Sequence, residues 1–144
     1  MRATNPWASY RQVATQTASS GQLVLMLFDG IIRFLERAGG GFGVDDPAEA
    51  NEVISNNVLR AQAIIHELNS SLNMDEGGPF ADNLRQLYYY FDRRLQHSNI
   101  TKTPEGITEV SARVSVLREA WSQMLQGQGG EPGKLAPLPQ LLAA

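Results

Sequence analysis

Residues 20–38, SGQLVLMLFDGIIRFLERA, decide the fold of this chain. Ser19 and Gln22 form a capping box at its start, in which a hydroxyl and an amide satisfy free backbone amides of a helix. Apolar residues then recur every three or four positions, which predicts a helix from about Ser20 to Ala38. Its predicted core stripe contains Val24, Leu27, Phe28, Ile31, Phe34, Leu35 and Ala38.

Three more helices are predicted downstream. Asp46 and Glu49 form a second capping box around Pro47, and the helix that follows should end near Leu72. Pro79 can start the third helix, and Thr103 with Pro104 the fourth. The glycine-rich run 39–43 and residues 73–79 are predicted as connections. The core stripe of the second helix is Ile54, Val58, Ala61, Ile65, Leu68 and Leu72. That of the third is Phe80, Leu84, Leu87, Tyr88, Phe91 and Leu95, and that of the fourth is Ile107, Val110, Val114, Leu117, Trp121 and Met124.

Four amphipathic helices with short connections predict an all-α fold, an antiparallel four-helix bundle over residues 17–126. Residues 1–16 are predicted as an N-terminal arm, because Trp7 and Tyr10 stand three apart; a frayed terminus is the alternative. Residues 127–144 are predicted as a flexible glycine- and proline-rich linker and an apolar tail. The tail is either disordered or lies in a groove of the same or a neighbouring molecule, with weak self-association in the second case. Its leucines are Leu135, Leu138, Leu141 and Leu142.

Composition narrows the class of protein. The chain has 144 residues, enough for one domain, and a net charge of −3 without a basic run, which argues against nucleic acid or an anionic membrane as partner. It has no cysteine, and no apolar run approaches the roughly 20 residues that span a bilayer. No signal peptide is recognisable. We therefore expect a cytoplasmic protein without membrane insertion.

No catalytic constellation is found. His66 and His97 lie on different predicted helices, no Glu-x-x-His pair occurs, and no glycine-rich loop follows a strand. We expect neither enzyme activity nor a cofactor or metal. His66 is interpreted as a surface residue, and Asp29 as part of the polar edge of the bundle rather than as a functional residue.

The chain carries more apolar residues than four core stripes need. Tyr88, Tyr89 and Tyr90 cannot all face one core, because successive helical side chains are turned by about 100°. At least one of Tyr89 and Tyr90 must be exposed or covered from outside the stripe. The surplus residues predict binding grooves for a partner if they are contiguous, or a homo-oligomeric interface as the alternative. The other members of this surplus set are Leu25, Ile32, Val53, Ile64 and Val116.

A series of short motifs runs in order along roughly residues 8–126: Ala8, Tyr10 and Val13; Thr17-Ala18-Ser19 and the run Leu23 to Leu35; Asn51, Ala61-Gln62, Ile64-Ile65 and Glu67-Leu68; Ser71-Leu72, Gly77-Gly78, Ala81, Asn83-Leu84, Leu87-Tyr88, Tyr90 and Arg94-Leu95; and Glu109-Val110, Leu117-Arg118 and Ala120-Trp121. In these motifs and in their order, the chain resembles the flagellin export chaperones of the FliS family. Ser20 and Phe28 stand where the family often has Pro and Tyr, and both keep the helix start and its apolar bulk. The glycine-rich first connection is unusual for the family, and the tail has no counterpart in it.

This resemblance implies a cytoplasmic chaperone that binds the C-terminal segment of flagellin as helices in hydrophobic grooves and prevents its premature polymerisation. It also implies delivery to a component of the flagellar type III export gate. Tyr10 matches the family's aromatic arm, with Trp7 as its neighbour. The surplus residues named above are groove candidates from periodicity and not from the resemblance.

Overall fold

The computed structural model describes residues 20–72 and 74–127, and within these ranges it contains four α-helices and no strand. The helices are α1 (Ser20–Gly40), α2 (Pro47–Ser70), α3 (Met74–Thr101) and α4 (Glu105–Gly127). The predicted all-α fold is therefore confirmed. The predicted arm and tail lie outside the described residues, as do Ser19, Trp7 and Tyr10.

The four helices close into a ring. α1 packs against α2 and α4, and α3 packs against the same two helices. The start of α1 meets the end of α4, where Trp121 Nε1 donates to the carbonyl oxygen of Gly21 at 3.0 Å. The end of α3 meets the start of α4, where Gly106 lies against Ser98. Neighbouring helices thus run antiparallel, as expected from their short connections.

The predicted stripes form the core. All six residues of the α4 stripe are buried, and so are six of the seven in α1. The exceptions are half-buried residues at the ends or edges of the stripes, namely Val24, Leu72, Phe80 and Leu87. No helix of the described part is long and apolar enough to cross a lipid bilayer.

The start of α2 follows the predicted cap. The carboxylate of Asp46 accepts from the backbone amide of Glu49 at 2.9 Å, and Pro47 is the first helical residue. At the other end, α2 stops at Ser70, two residues before the predicted Leu72. α4 begins at Glu105, one residue after the predicted Pro104.

Two predicted connections are partly helical. α1 continues through Gly40, and residues Gly41–Gly43 form a 3-10 turn. Gly41 is buried, and a Cβ there would lie 2.7 Å from the Ile54 side chain, so only glycine fits this approach. The second connection contains a helical turn that begins at Met74 and ends before Gly78. Gly78 has a φ of 54°, a backbone conformation that glycine adopts readily, and the chain kinks there ahead of Pro79.

Candidate partner-binding surface

A set of apolar side chains lies at the edges of the helices, where each contacts the core but keeps part of its surface in water. Four other large apolar residues are more exposed: Leu59, Tyr89, Ile100 and Val116. Single exposed apolar residues carry no information, so the question is which of them lie together. The half-buried set consists of Leu23, Val24, Leu25, Ile32, Phe42, Leu72, Phe80, Leu87, Tyr90 and Ala120.

Leu25 and Ile32 share the edge of α1 that faces α4. Phe28, which stands between them, packs edge-on against Trp121 of α4 with ring centroids 6.2 Å apart. Asp29 pairs with Arg118 of α4 at 2.7 Å. Residues three or four apart on a helix are neighbours on its surface, so both apolar side chains lie along this contact. We call Leu25, Asp29, Ile32 and Arg118 the α1–α4 seam.

The ion pair in the α1–α4 seam is only partly exposed. Both side chains keep about a third of their surface in solvent, at 35% for Arg118 and 38% for Asp29. The carboxylate of Asp29 accepts from Arg118 Nε and raises the pKa of that guanidinium. The pair joins α1 to α4, and Arg118 also lies 3.8 Å from Glu119. Asp29 therefore lies at the polar edge of the bundle, as interpreted from the sequence.

Charged groups surround Tyr90 on the other side of α4. Its hydroxyl donates to Glu109 at 2.6 Å, and Arg94 donates to the second carboxylate oxygen at 2.7 Å. Arg113 donates to Glu109 at 3.0 Å, and its guanidinium lies 5.7 Å from the centre of the Tyr90 ring. The hydrogen bond from Tyr90, followed by that from Arg94, lowers the pKa of Glu109. The same hydrogen bond raises the pKa of Tyr90.

Apolar side chains continue from Tyr90 along this side. Leu87 stands one turn before Tyr90 on α3 and is half-buried. On α4, Val116 stands two turns after Glu109 and one turn before Ala120, so all three share an edge. We call Leu87, Tyr90, Val116 and Ala120 the α3–α4 seam. Two of the predicted site residues, Tyr90 and Val116, are thus placed on the same side of α4.

Of the predicted site residues in the described ranges, Val53, Ile64 and Tyr89 belong to neither seam. Val53 is half-buried beside Gly41, where a Cβ on that glycine would lie 3.1 Å from its side chain. Tyr89 is 51% exposed on the outside of α3. Ile64 corrects the sequence interpretation: it is 0% exposed and belongs to the core. The buried arc of α2 is wider than its predicted stripe, because it also includes Asn57, Gln62 and Ile64.

Sequence reasoning missed two exposed apolar residues, Leu59 and Ile100. Ile100 stands three turns after Tyr89, so the two lie on one outer face of α3. The signal was available, since Leu59 falls outside the α2 stripe and Ile100 comes late in α3, beyond the last stripe residue. Their isolation from both seams makes them useful controls below.

Polar side chains of α2 and α3 join these two helices. No group of three or more acidic or histidine side chains in the described ranges is arranged to hold a metal ion. His66 lies on the surface as interpreted, and its Nε2 is 2.9 Å from Asp92 Oδ1 of α3. The same carboxylate oxygen accepts from Gln62 at 3.0 Å. These contacts join α2 to α3.

Comparison with known proteins finds relatives that match most of this chain in sequence. A family model described as "Flagellar protein FliS" matches residues 3–128. The flagellar secretion chaperone FliS of Bacillus subtilis is 35% identical over 124 residues, covering 86% of this chain and 89% of the relative. Its counterpart in Salmonella typhimurium is 35% identical over 120 residues, with 81% and 87% covered. That of Escherichia coli is 33% identical over 113 residues, with 78% and 80% covered.

Proposed function

The chain belongs to the FliS family, and from this premise we propose that it is a flagellar secretion chaperone that binds the C-terminal segment of flagellin in the cytoplasm. Binding keeps this segment from premature polymerisation until a component of the flagellar export gate receives it. The names of the relatives support the export role. The choice of flagellin as cargo rests on the family resemblance and on the surface described next.

The observation that carries the proposal is the pair of seams on either side of α4. Leu25 and Ile32 are seven residues apart on one helix, which is about 10.5 Å along its axis. An amphipathic helix presents its own anchors at the same interval of seven residues. A cargo segment that folds on contact would bury these side chains without displacing the core, since each is already half-covered.

The polar groups of the two seams support orientation of such a helix. The Asp29–Arg118 pair interrupts the apolar edge of one seam, and Glu109 with its arginines borders the other. Charged groups at the rim of an interface contribute to register and choice of partner more than to affinity. The apolar side chains are therefore the expected source of binding energy.

Isothermal titration calorimetry with the C-terminal segment of the cognate flagellin tests the proposal. Val116→Asp should weaken binding at least about tenfold, because a charge would enter the apolar contact. Leu59→Asp is the matched control, because Leu59 and Val116 are both 55% exposed but only Val116 lies in a seam. The control should bind like the unchanged protein.

Two outcomes would contradict the proposal. One is heat-silent mixing together with separate elution on a sizing column. The other is equal loss of binding in both variants. Light scattering of the free protein tests the alternative function as a homo-oligomeric module. An obligate dimer in which Tyr90 and Val116 are covered would favour that alternative.

A further inference from the structure

We propose that the leucine-rich stretch 135–142 of this chain docks on the α1–α4 seam of its own molecule. The docking itself is independent of the cargo. The consequence that the tail competes with a cargo segment rests on the proposed function. The stretch reads LAPLPQLL and lies outside the described residues. Four observations point to this occupant: the place where the chain leaves the bundle, the reach of the linker, the spacing of the leucines and the charge of the seam.

The chain leaves α4 at the end of this seam. Trp121 Nε1 donates to the Gly21 carbonyl at 3.0 Å, and Leu125 packs directly against the Cα of Gly21. α4 ends two residues later, at Gly127. The segment that follows therefore begins beside the first turn of α1. Leu25 is one turn further along the same edge.

The linker is long enough for this contact. Residues 128–134 precede Leu135 and include Gly129, Gly130 and Gly133. A glycine-rich linker of this length spans on average about 15 Å. Along α1, Ile32 is about 16 Å from Gly21. A tethered segment with such a linker has an effective concentration on the order of millimolar at the seam, so even weak contacts are populated.

The leucine spacing fits the seam better as an extended segment than as a helix. Pro137 and Pro139 disfavour a helix and favour the polyproline II conformation, which has three residues per turn and a rise of about 3.1 Å. Leu135, Leu138 and Leu141 repeat every three residues, so this conformation would place them on one side at intervals of about 9 Å. Leu25 and Ile32 are about 10.5 Å apart on α1. Two consecutive leucines can therefore meet both.

Charge favours the α1–α4 seam over the α3–α4 seam. Residues 135–142 contain no charged side chain. The α1–α4 seam contains one ion pair, Asp29 with Arg118, and Arg118 also lies 3.8 Å from the more exposed Glu119 outside the seam. In contrast, Tyr90 in the α3–α4 seam is bordered by Glu109, Arg94 and Arg113. An uncharged segment that covered Tyr90 would remove water from these three charged groups, which costs more free energy than covering the single ion pair within the α1–α4 seam.

The absence of cysteine allows a direct test on the full chain. A nitroxide is attached through Ala143→Cys, and paramagnetic broadening of backbone amide signals is measured. Docking should broaden the signals of residues 25–32 on α1 and should spare those of Leu87 and Tyr90 on α3 and those near Leu59 and Ile100. Leu138→Asp should abolish this pattern. Gln140→Asp adds the same charge at a position outside the three-residue repeat and should retain it.

Several results would overturn the docking. They are absence of selective broadening, broadening of the α3–α4 seam instead, and an unchanged pattern in Leu138→Asp. Docking within one molecule would also be overturned if spin-labelled protein broadened the signals of separate, isotope-labelled molecules in the same pattern. The contact would then be between two copies of the chain. Seam broadening from a label at Thr4→Cys, with none from the tail, would assign the seam to the N-terminal arm.

Calorimetry then separates docking from competition. Removal of residues 128–144 should tighten binding of the flagellin segment severalfold if the tail competes with it. Unchanged affinity, with broadening intact, would overturn the competition. If no flagellin segment binds either form, the proposed function fails, and the broadening experiment still decides the docking.

Discussion

α1 and α3 lie across the bundle from each other and are held by different interactions. α1 contributes a run of large buried side chains, among them Phe28, Ile31 and Leu35. α3 also buries a stripe, but side-chain hydrogen bonds join both of its edges to its neighbours. Asp92 accepts from Gln62 of α2, and Tyr90 donates to Glu109 of α4.

Further polar contacts occur along the α2–α3 edge. Arg85 donates to Asn69 at 3.1 Å near the beginning of α3. At its end, Lys102 Nζ donates to Ser55 at 3.0 Å and to the Asn99 carbonyl at 2.6 Å. Hydrogen bonds therefore fix the edge near its two ends and at Asp92 between them.

Apolar burial and side-chain hydrogen bonds contribute differently to the stability of the bundle and to the alignment of its helices. Burial of apolar surface is strong but non-directional, so it stabilises α1 in the bundle without by itself specifying the rotation of the helix. Directional contacts of α1 with α4 come from Asp29 with Arg118 and from the Gly21 carbonyl with Trp121. Hydrogen bonds contribute less to net stability but need particular partners at particular distances. We infer that α1 supplies most of the cohesion and that the polar edges of α3 set its register.

The largest effect is expected from truncation in α1. Phe28→Ala should lower the free energy of unfolding by about 3–5 kcal/mol, because it removes a fully buried ring that packs on Trp121. Urea denaturation followed by circular dichroism measures it. A loss below about 1 kcal/mol would break the distinction between the two helices, since polar substitutions on α3 reach that size.

A smaller effect is expected at Gly106, where α4 lies against Ser98 and Arg94 of α3. In Gly106→Ala, the new Cβ would collide with the Ser98 hydroxyl and lie 2.8 Å from the Arg94 carbonyl oxygen. Because the backbone must shift, we expect the free energy of unfolding to fall by roughly 1–3 kcal/mol. The matched control is Gly39→Ala in α1, where no atom lies within 4 Å of the Cβ. The free energy of unfolding of this control should rise by about 0.5–1 kcal/mol. Equal losses of stability in both variants would contradict the steric explanation.

Glu109→Gln tests the polar contacts between α3 and α4. It should lower the free energy of unfolding by about 1 kcal/mol near neutral pH. The folded-state pKa of Glu109 lies below its ordinary value of 4.5, so its contribution is present above pH 4.5 and is lost as the pH falls through the lowered pKa. The difference between the two proteins should therefore shrink in acid. Urea midpoints measured from pH 7 to pH 3 check this. A difference that grows in acid would contradict the assigned charge state.

The smallest effect is expected at Ser98, whose buried hydroxyl has no hydrogen-bond partner. Ser98→Ala removes this group without leaving a large cavity. The free energy of unfolding should stay constant or rise by up to about 1 kcal/mol. Thermal unfolding by calorimetry is sensitive enough to decide. A clear loss would show that the hydroxyl contributes to the contact between α3 and α4.

The sequence by itself determined the four helices, the cap at Asp46 and most of the core. These features are local, because helical periodicity fixes which side chains of one helix share a face, and a cap depends on residues three positions apart. The buried α4 stripe from Ile107 to Met124 shows how far this reasoning reaches.

Only the tertiary structure decided what lies at the edges of those faces. Ile64 is buried because the covered arc of α2 is wider than its stripe, and Asp29 pairs with Arg118, which lies 89 positions away in the chain. Tyr89 and Tyr90 are neighbours in sequence, yet one is exposed and the other bonds Glu109. The spacing within a helix does not contain this information, because the width of a buried arc and the partner of a side chain depend on how closely another helix approaches.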